Sequence, residues 1–251
     1  DDMTYEFMKA QKREEEWIEL KADADAKYDE EIVIDLSEIE PLVAQPHSPD
    51  RVDTVKNVGP IKVDQVCIGS CTNSSYVDLM KVAKILKGKT VHPDVSLVIS
   101  PGSKQVNTML AQNGALADLI DAGARILESA CGPCIGMGQA PATDAVSVRT
   151  FNRNFYGRSG TTSAKVYLAS PEVAAATALK GVLTDPRDLG EYVEVEMPKA
   201  FVINDNSIIP PSKDPSEVEV VRGPNIKPFP INTELAEVVK GEILMVMEDN
   251  I

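Results

Sequence analysis

Residues 63–103 read VDQVCIGSCTNSSYVDLMKVAKILKGKTVHPDVSLVISPGS, and this stretch decides the fold. Val63–Ser70 is rich in β-formers and ends in a turn. Tyr76–Lys87 carries apolar residues at 79, 82, 83 and 86, the spacing of one helix face. Val95–Ser100 is a second, largely apolar strand, and Pro101-Gly102-Ser103 follows it, with Ser103 placed as the N-cap of a helix running to about Ala122. A strand, a helix and a strand in that order make a parallel βαβ unit. Working outward, Ala124–Leu127, Val148–Phe151 and Val166–Ala169 read as further strands, and Pro171 opens an alanine-rich helix over 172–182. Apolar rather than alternating strands belong to a sheet covered on both faces. The expectation is an α/β protein, a three-layer αβα sandwich with a mainly parallel sheet. Ligand sites in such sheets lie beyond the carboxyl ends of the strands.

The flanks differ in character. Residues 3–28 read as one polar helix with loosely spaced Tyr5, Met8, Trp17, Ile18 and Leu20, and Ile32–Leu36 as a short strand. Pro41, Pro46, Pro49 and Pro60 mark an extended, non-helical linker. From about Asp185 the chain turns proline-rich again, with Phe201–Ile203 and Glu242–Met247 as two last strands. The domain reading is therefore an N-terminal helix and linker over 1–60, an α/β domain over 61–200 and an extended C-terminal segment over 201–251.

The chain has 251 residues and a net charge of −14. That charge is uneven, because residues 1–50 hold 5 basic and 16 acidic side chains whereas 61–184 hold 12 basic and 8 acidic ones. An acidic whole argues against nucleic acid and anionic membrane as partners. A locally positive middle suits a small anionic substrate. No run of roughly 18 apolar residues is present, so no transmembrane helix is expected. The first residues lack the basic and apolar regions of a secretory signal, and four closely spaced cysteines are too few for a disulfide scaffold. The expected compartment is cytoplasmic.

Cys67 and Cys71 flank the end of the first strand, and Cys131-Gly132-Pro133-Cys134 follows the strand at 124–127. The second group alone has three readings: a thioredoxin-like dithiol, a structural zinc site using all four cysteines, or inert buried thiols. Against the dithiol, Ile135-Gly136-Met137-Gly138 is a poor helix start. Against zinc, the spacing is unusual and Cys67 should point into the core.

The neighbouring residues discriminate. Ile68-Gly69-Ser70-Cys71-Thr72-Asn73-Ser74, Ala130-Cys131-Gly132-Pro133-Cys134-Ile135-Gly136 and Phe151-Asn152-Arg153-Asn154-Phe155-Tyr156-Gly157-Arg158 stand in this order. They resemble the three signature elements of the aconitase superfamily, and the resemblance runs from about Val63 to Arg187. It implies a [4Fe–4S] cluster held by the thiolates of Cys71, Cys131 and Cys134, with an open iron acting as Lewis acid. Cys67 is left to core packing. Gly69, Gly132 and Gly136 would let backbone approach the cluster. Arg153 and Arg158 match substrate-binding arginines, whose planar forks suit carboxylates. Asn152, Ser70 and Asn73 match residues that stand beside the cluster without ligating it. Arg149 and Arg125 lie outside the matching elements and read as ordinary, as do His47 and His92.

The resemblance implies a hydro-lyase, with aconitate hydratase as the leading reading and a di- or tricarboxylate as substrate. The alternatives are 3-isopropylmalate dehydratase, homoaconitase, or a non-enzymatic cluster- or metal-binding module. No catalytic acid–base residue is assigned. The chain reads as a fragment whose partners are the remaining domains of the same enzyme, Val246–Ile251 resembling the lead-in to a swivelling domain. Alone, it is expected to be inactive and its cluster labile.

Overall fold

Apolar runs bounded by serine caps set out the central elements. The computed structural model describes residues 1–190, 192–219, 221–228, 230–232, 234 and 236–247. In chain order they form α1 (Asp2–Ala10), β1 (Leu42–Ala44), β2 (Val52–Thr54), α2 (Val55–Val58), β3 (Gln65–Gly69), α3 (Tyr76–Leu86), β4 (Ser96–Ser100), α4 (Lys104–Gln112), α5 (Ala115–Asp121), β5 (Arg125–Ile126), β6 (Val146–Arg149), β7 (Lys165–Ala169) and α6 (Pro171–Lys180), with short 3-10 turns between. Residues 1–205 and 206–251 are two separate compact units.

The first unit holds a seven-stranded sheet in the order β2-β1-β7-β6-β3-β4-β5. Neighbours among β3–β7 pair parallel, while β1 pairs antiparallel with β2 and with β7. This is the α/β sandwich with a mainly parallel sheet. The chain runs outward from β3 through β4 to β5, then returns to lay β6 on the other side of β3. The order therefore reverses between β3 and β6.

Alternation along the strands sorts the two faces. Val66, Ile68, Leu97, Ile99 and Val148 join Leu79, Val82, Leu86, Leu110, Leu119, Ala174 and Ala178 in one buried core under α3–α6. Burying each large side chain there contributes about 1.5–3 kcal/mol. Cys67, Val98, Leu127, Cys134 and Phe151 form a second buried cluster. The alternating positions thus face the long β5–β6 connection, residues 127–145, instead of a helix.

Helix starts follow the capping chemistry. Ser75 forms a capping box with Asp78, Ser103 caps α4, and Ser170 with Pro171 at the first turn opens α6. Several flanking expectations are corrected. The helix over 3–28 stops at Ala10; Lys12 takes a positive φ of 59°, and most residues beyond are charged and exposed, with Trp17 folding back onto Tyr5. Ile32–Leu36 is exposed and forms no strand, since no sheet edge receives it. The helix over 103–122 divides into α4 and α5 at Asn113-Gly114, Gly114 having φ 84°. Within the stretch read as linker, the chain folds into the β1–β2 hairpin and the short α2, because Val43 and Ala44 find the edge of β7. Phe201–Ile203 is not a strand; Phe201 serves its ring instead, 5.4 Å from that of Phe7 and 6.5 Å from that of Tyr76.

In the second unit the described residues form one 3-10 turn, Pro215–Glu217, capped by Asp214 on the Ser216 amide. Glu242–Met247 is exposed and takes no strand pairing. Of the lead-in at Val246–Ile251, residues 248–251 lie outside the described residues.

Candidate functional site

Two strand ends meet where the sheet order reverses. At the end of β3, Gly69 has φ 117°, and a Cβ there would lie 2.0 Å from the Ser100 carbonyl oxygen, so only glycine fits. Ser70, buried with φ 67°, then turns the chain so that Cys71 emerges exposed. Across the reversal, Thr150 follows β6 and straps the two ends together. Gly69 N–H donates to Thr150 Oγ1 at 2.8 Å, Thr150 N–H to the Cys67 carbonyl at 3.0 Å, and Asn73 Nδ2 to the Thr150 carbonyl at 2.5 Å. Asn73 thus ties the first signature element to the third.

Cys131 and Cys134 lie on the β5–β6 connection. Cys131 is exposed, and Cys134 is buried in the 3-10 turn Pro133–Ile135 against Cys67, Val98, Leu127 and Phe151. Gly136 ends that turn with φ 86°, and a Cβ there would lie 2.3 Å from the Ser159 carbonyl oxygen. At 69 and 136 the space a Cβ would take is thus filled by protein backbone.

The arginines flank the thiols. Arg158 is half-buried and donates an Nη2–H to Cys134 Sγ at 3.4 Å. Arg153 is exposed and donates to Asn152 Oδ1 at 3.4 Å. Hydroxyl contacts from Thr72 at 3.8 Å and Ser70 at 3.9 Å, with the Arg153 charge behind them, hold the Cys71 thiol below its ordinary range. Burial pushes Cys134 up; Arg158 opposes this, while Cys131 and Cys71 reinforce it. Cys131 and Cys71 thus lie near enough to Cys134 to bear on its charge.

Cys67 sits apart. It is fully buried on β3, in register with Arg149 of β6, and burial pushes its thiol up to about 11. A four-cysteine zinc site is not formed, and among the described residues no three Cys, His, Asp or Glu side chains gather closely enough to hold one metal ion. The dithiol reading lacks the helix it needs, since Cys134 enters a three-residue turn and is a raised, buried thiol. An all-sulfur donor set from two turns, with two arginines to balance thiolate charge, fits a soft iron–sulfur group by its chemistry.

Sequence reasoning missed several residues. Arg149, read as ordinary, is fully buried and bonds Ser147, Gln65 and the carbonyls of Pro133 and Gln139. Arg125 donates to the Gly138 carbonyl and to Gln139 Oε1. Asn154, within the third signature, is buried and donates to the carbonyls of Gln45 and Val166, holding the β1–β2 hairpin against the sheet. The readable signal for Arg149 was polar residues at 65, 147 and 149, alternating on strands otherwise wholly apolar. His47 stacks edge-on against Tyr156 at 5.0 Å, and His92 packs beneath Gly181.

Fold and site together define a class: an α/β protein with a thiol-and-arginine site at the reversal point of a mainly parallel sheet. The model of the aconitase family (aconitate hydratase) matches residues 1–60 and 53–181, and the chain belongs to that family. Similar proteins include 3-isopropylmalate dehydratase large subunit 1 of Thermotoga maritima, 46% identical over 190 residues covering 74% of this chain and 46% of the relative. The large subunit from Moorella thermoacetica is 44% identical over 191 residues, 75% of this chain and 45% of the relative. Large subunit 2 of Archaeoglobus fulgidus is 41% identical over 189 residues, again 75% and 45%. The chain spans about half the length of the curated relatives it matches. These relatives carry the name 3-isopropylmalate dehydratase, the alternative reading, and not aconitate hydratase, the leading one. Substrate-sorting residues were not legible in the three signature elements. Among the described residues no helix is long and apolar enough to cross a membrane.

Proposed function

We propose that this chain carries the cluster-binding part of a hydro-lyase that moves water on and off a 2-hydroxy dicarboxylate of the 3-isopropylmalate type. One observation carries the reading: Cys71 leaves the end of β3 and Arg153 follows β6 at the same carboxyl-end reversal, where Arg158 donates to Cys134 Sγ. In this reading the three thiolates would hold a [4Fe–4S] cluster, which would supply Lewis-acid chemistry toward the substrate's hydroxyl and carboxylate. Arg153, exposed at the mouth, captures a substrate carboxylate through paired N–H donors. Arg158 has one N–H on Cys134, so its remaining donors steady a second carboxylate while its charge favours the thiolate. Asn73 keeps the Cys71 turn in register with the arginine turn. Arginines stay protonated and cannot take the substrate's proton. That step is assigned to the remaining domains of the enzyme and to a partner subunit, as the relatives' name of large subunit suggests.

The test is anaerobic reconstitution with iron and sulfide analysis. We expect a brown, cluster-loaded protein, with Cys71→Ser, Cys131→Ser and Cys134→Ser each losing most of the cluster, because an alcohol is a poor soft-metal ligand. Cys67→Ser should retain it. Loss in the Cys67 variant with the fold intact would sink the three-ligand assignment.

A further inference from the structure

Arg149 is a buried cation whose acceptors among the described residues are all uncharged. It ends β6, fully buried, opposite Cys67 in the sheet register. Nε donates to Ser147 Oγ at 2.9 Å, Nη1 to the Pro133 carbonyl at 2.5 Å, and Nη2 to Gln65 Oε1 at 2.8 Å and the Gln139 carbonyl at 3.2 Å. The guanidinium lies 5.5 Å from the Phe151 ring centre. Gln65 adds a bond to the Ala140 carbonyl at 3.3 Å and accepts one from Ser147 Oγ at 2.8 Å. Two polar side chains of the sheet, Arg149 and Gln65, therefore grip the cysteine loop at both ends, at Pro133 and at Gln139-Ala140, and Ser147 bonds them both. Removing a guanidinium from water without a countercharge is costly. Sulfur is the nearby candidate: Cys134 packs in the same buried cluster as Cys67 and Phe151, which border Arg149. A ligating thiolate there would be the anion this cation lacks.

We propose that Arg149 is a positioning residue that locks the Cys131–Gln139 loop onto the sheet and supplies the buried positive charge behind the ligated Cys134 thiolate. This rests on the cluster reading above, but the first measurement does not. Hydrogen exchange of the metal-free protein should be faster across residues 131–140 by about tenfold or more in both Arg149→Gln and Arg149→Lys, with residues 65–69 and 96–100 unchanged. After anaerobic reconstitution, the cluster's midpoint potential should fall in Arg149→Gln and stay near wild type in Arg149→Lys, which keeps the charge but not the planar fork. Unchanged exchange in the loop, or a potential that moves equally in both variants, overturns the proposal. Should Arg149→Gln fail to fold, Arg149→Lys still reads both arms, with a potential displaced from wild type counting against the charge role. Failure of wild-type protein to take up iron and sulfide would count against the cluster reading, and loop exchange would still decide whether Arg149 holds the loop.

Discussion

Single side chains divide the labour at the reversal point. Cys71 is exposed and its thiol is held below the ordinary range by Thr72 and Ser70, whereas Cys134 is buried and raised. The thiolate is the nucleophile, so alkylation of each cysteine rises with pH through its own pKa. In metal-free protein, peptide mapping across a pH series should find Cys71 modified at lower pH than Cys134, and the reverse order would contradict the local environments described. Arg153→Lys and Arg158→Lys probe the anion site in the complete enzyme. Losing a paired, charge-assisted contact costs about 2–4 kcal/mol, or roughly 30- to 1000-fold in kcat/KM. Cluster content should stay unchanged in both, and near wild-type kinetics would place these side chains away from the substrate.

Among elements, turns are as specific as strands. Gly114 and Gly136 share a left-handed backbone, yet a Cβ at 114 meets nothing within 4 Å whereas one at 136 meets the Ser159 carbonyl. Gly114→Ala should therefore cost only the backbone strain, about 1–2 kcal/mol, and lower Tm by a few degrees. Gly136→Ala should cost more and also displace the cysteine loop, seen as a larger Tm loss together with poor cluster uptake. Equal Tm losses would mean that the close crossing at Ser159 can relax. The central elements were legible because apolar runs, a serine cap at Ser103 and a proline at the first turn of a helix at Pro171 are local signals. The hairpin strands were not, since three residues each among prolines carry little pattern and their partner β7 lies more than a hundred positions away. Nor was Arg149, because an arginine in a strand looks like solvent-facing surface until the covering loop is known. The three thiols were legible through their neighbours rather than their spacing.

At the scale of the whole molecule, the site opens outward from the carboxyl ends of the sheet, with Cys71 and Cys131 both exposed. A cluster on this face should bleach quickly in air when the chain is reconstituted alone. On the function proposed above, the remaining domains and a partner subunit should slow that loss at least about tenfold, followed as decay of the visible absorption; no protection would mean that they do not cover this face. The way such a partner docks is restricted by the ends of the sheet. Its outermost strands are β2 with three residues and β5 with two. A lateral strand this short offers few free amides and carbonyls for another chain to zip onto, which is how proteins guard against runaway stacking. Assembly by sheet extension is therefore disfavoured, and a chain that meets this sheet from the side finds little to pair with and no template for a fibre.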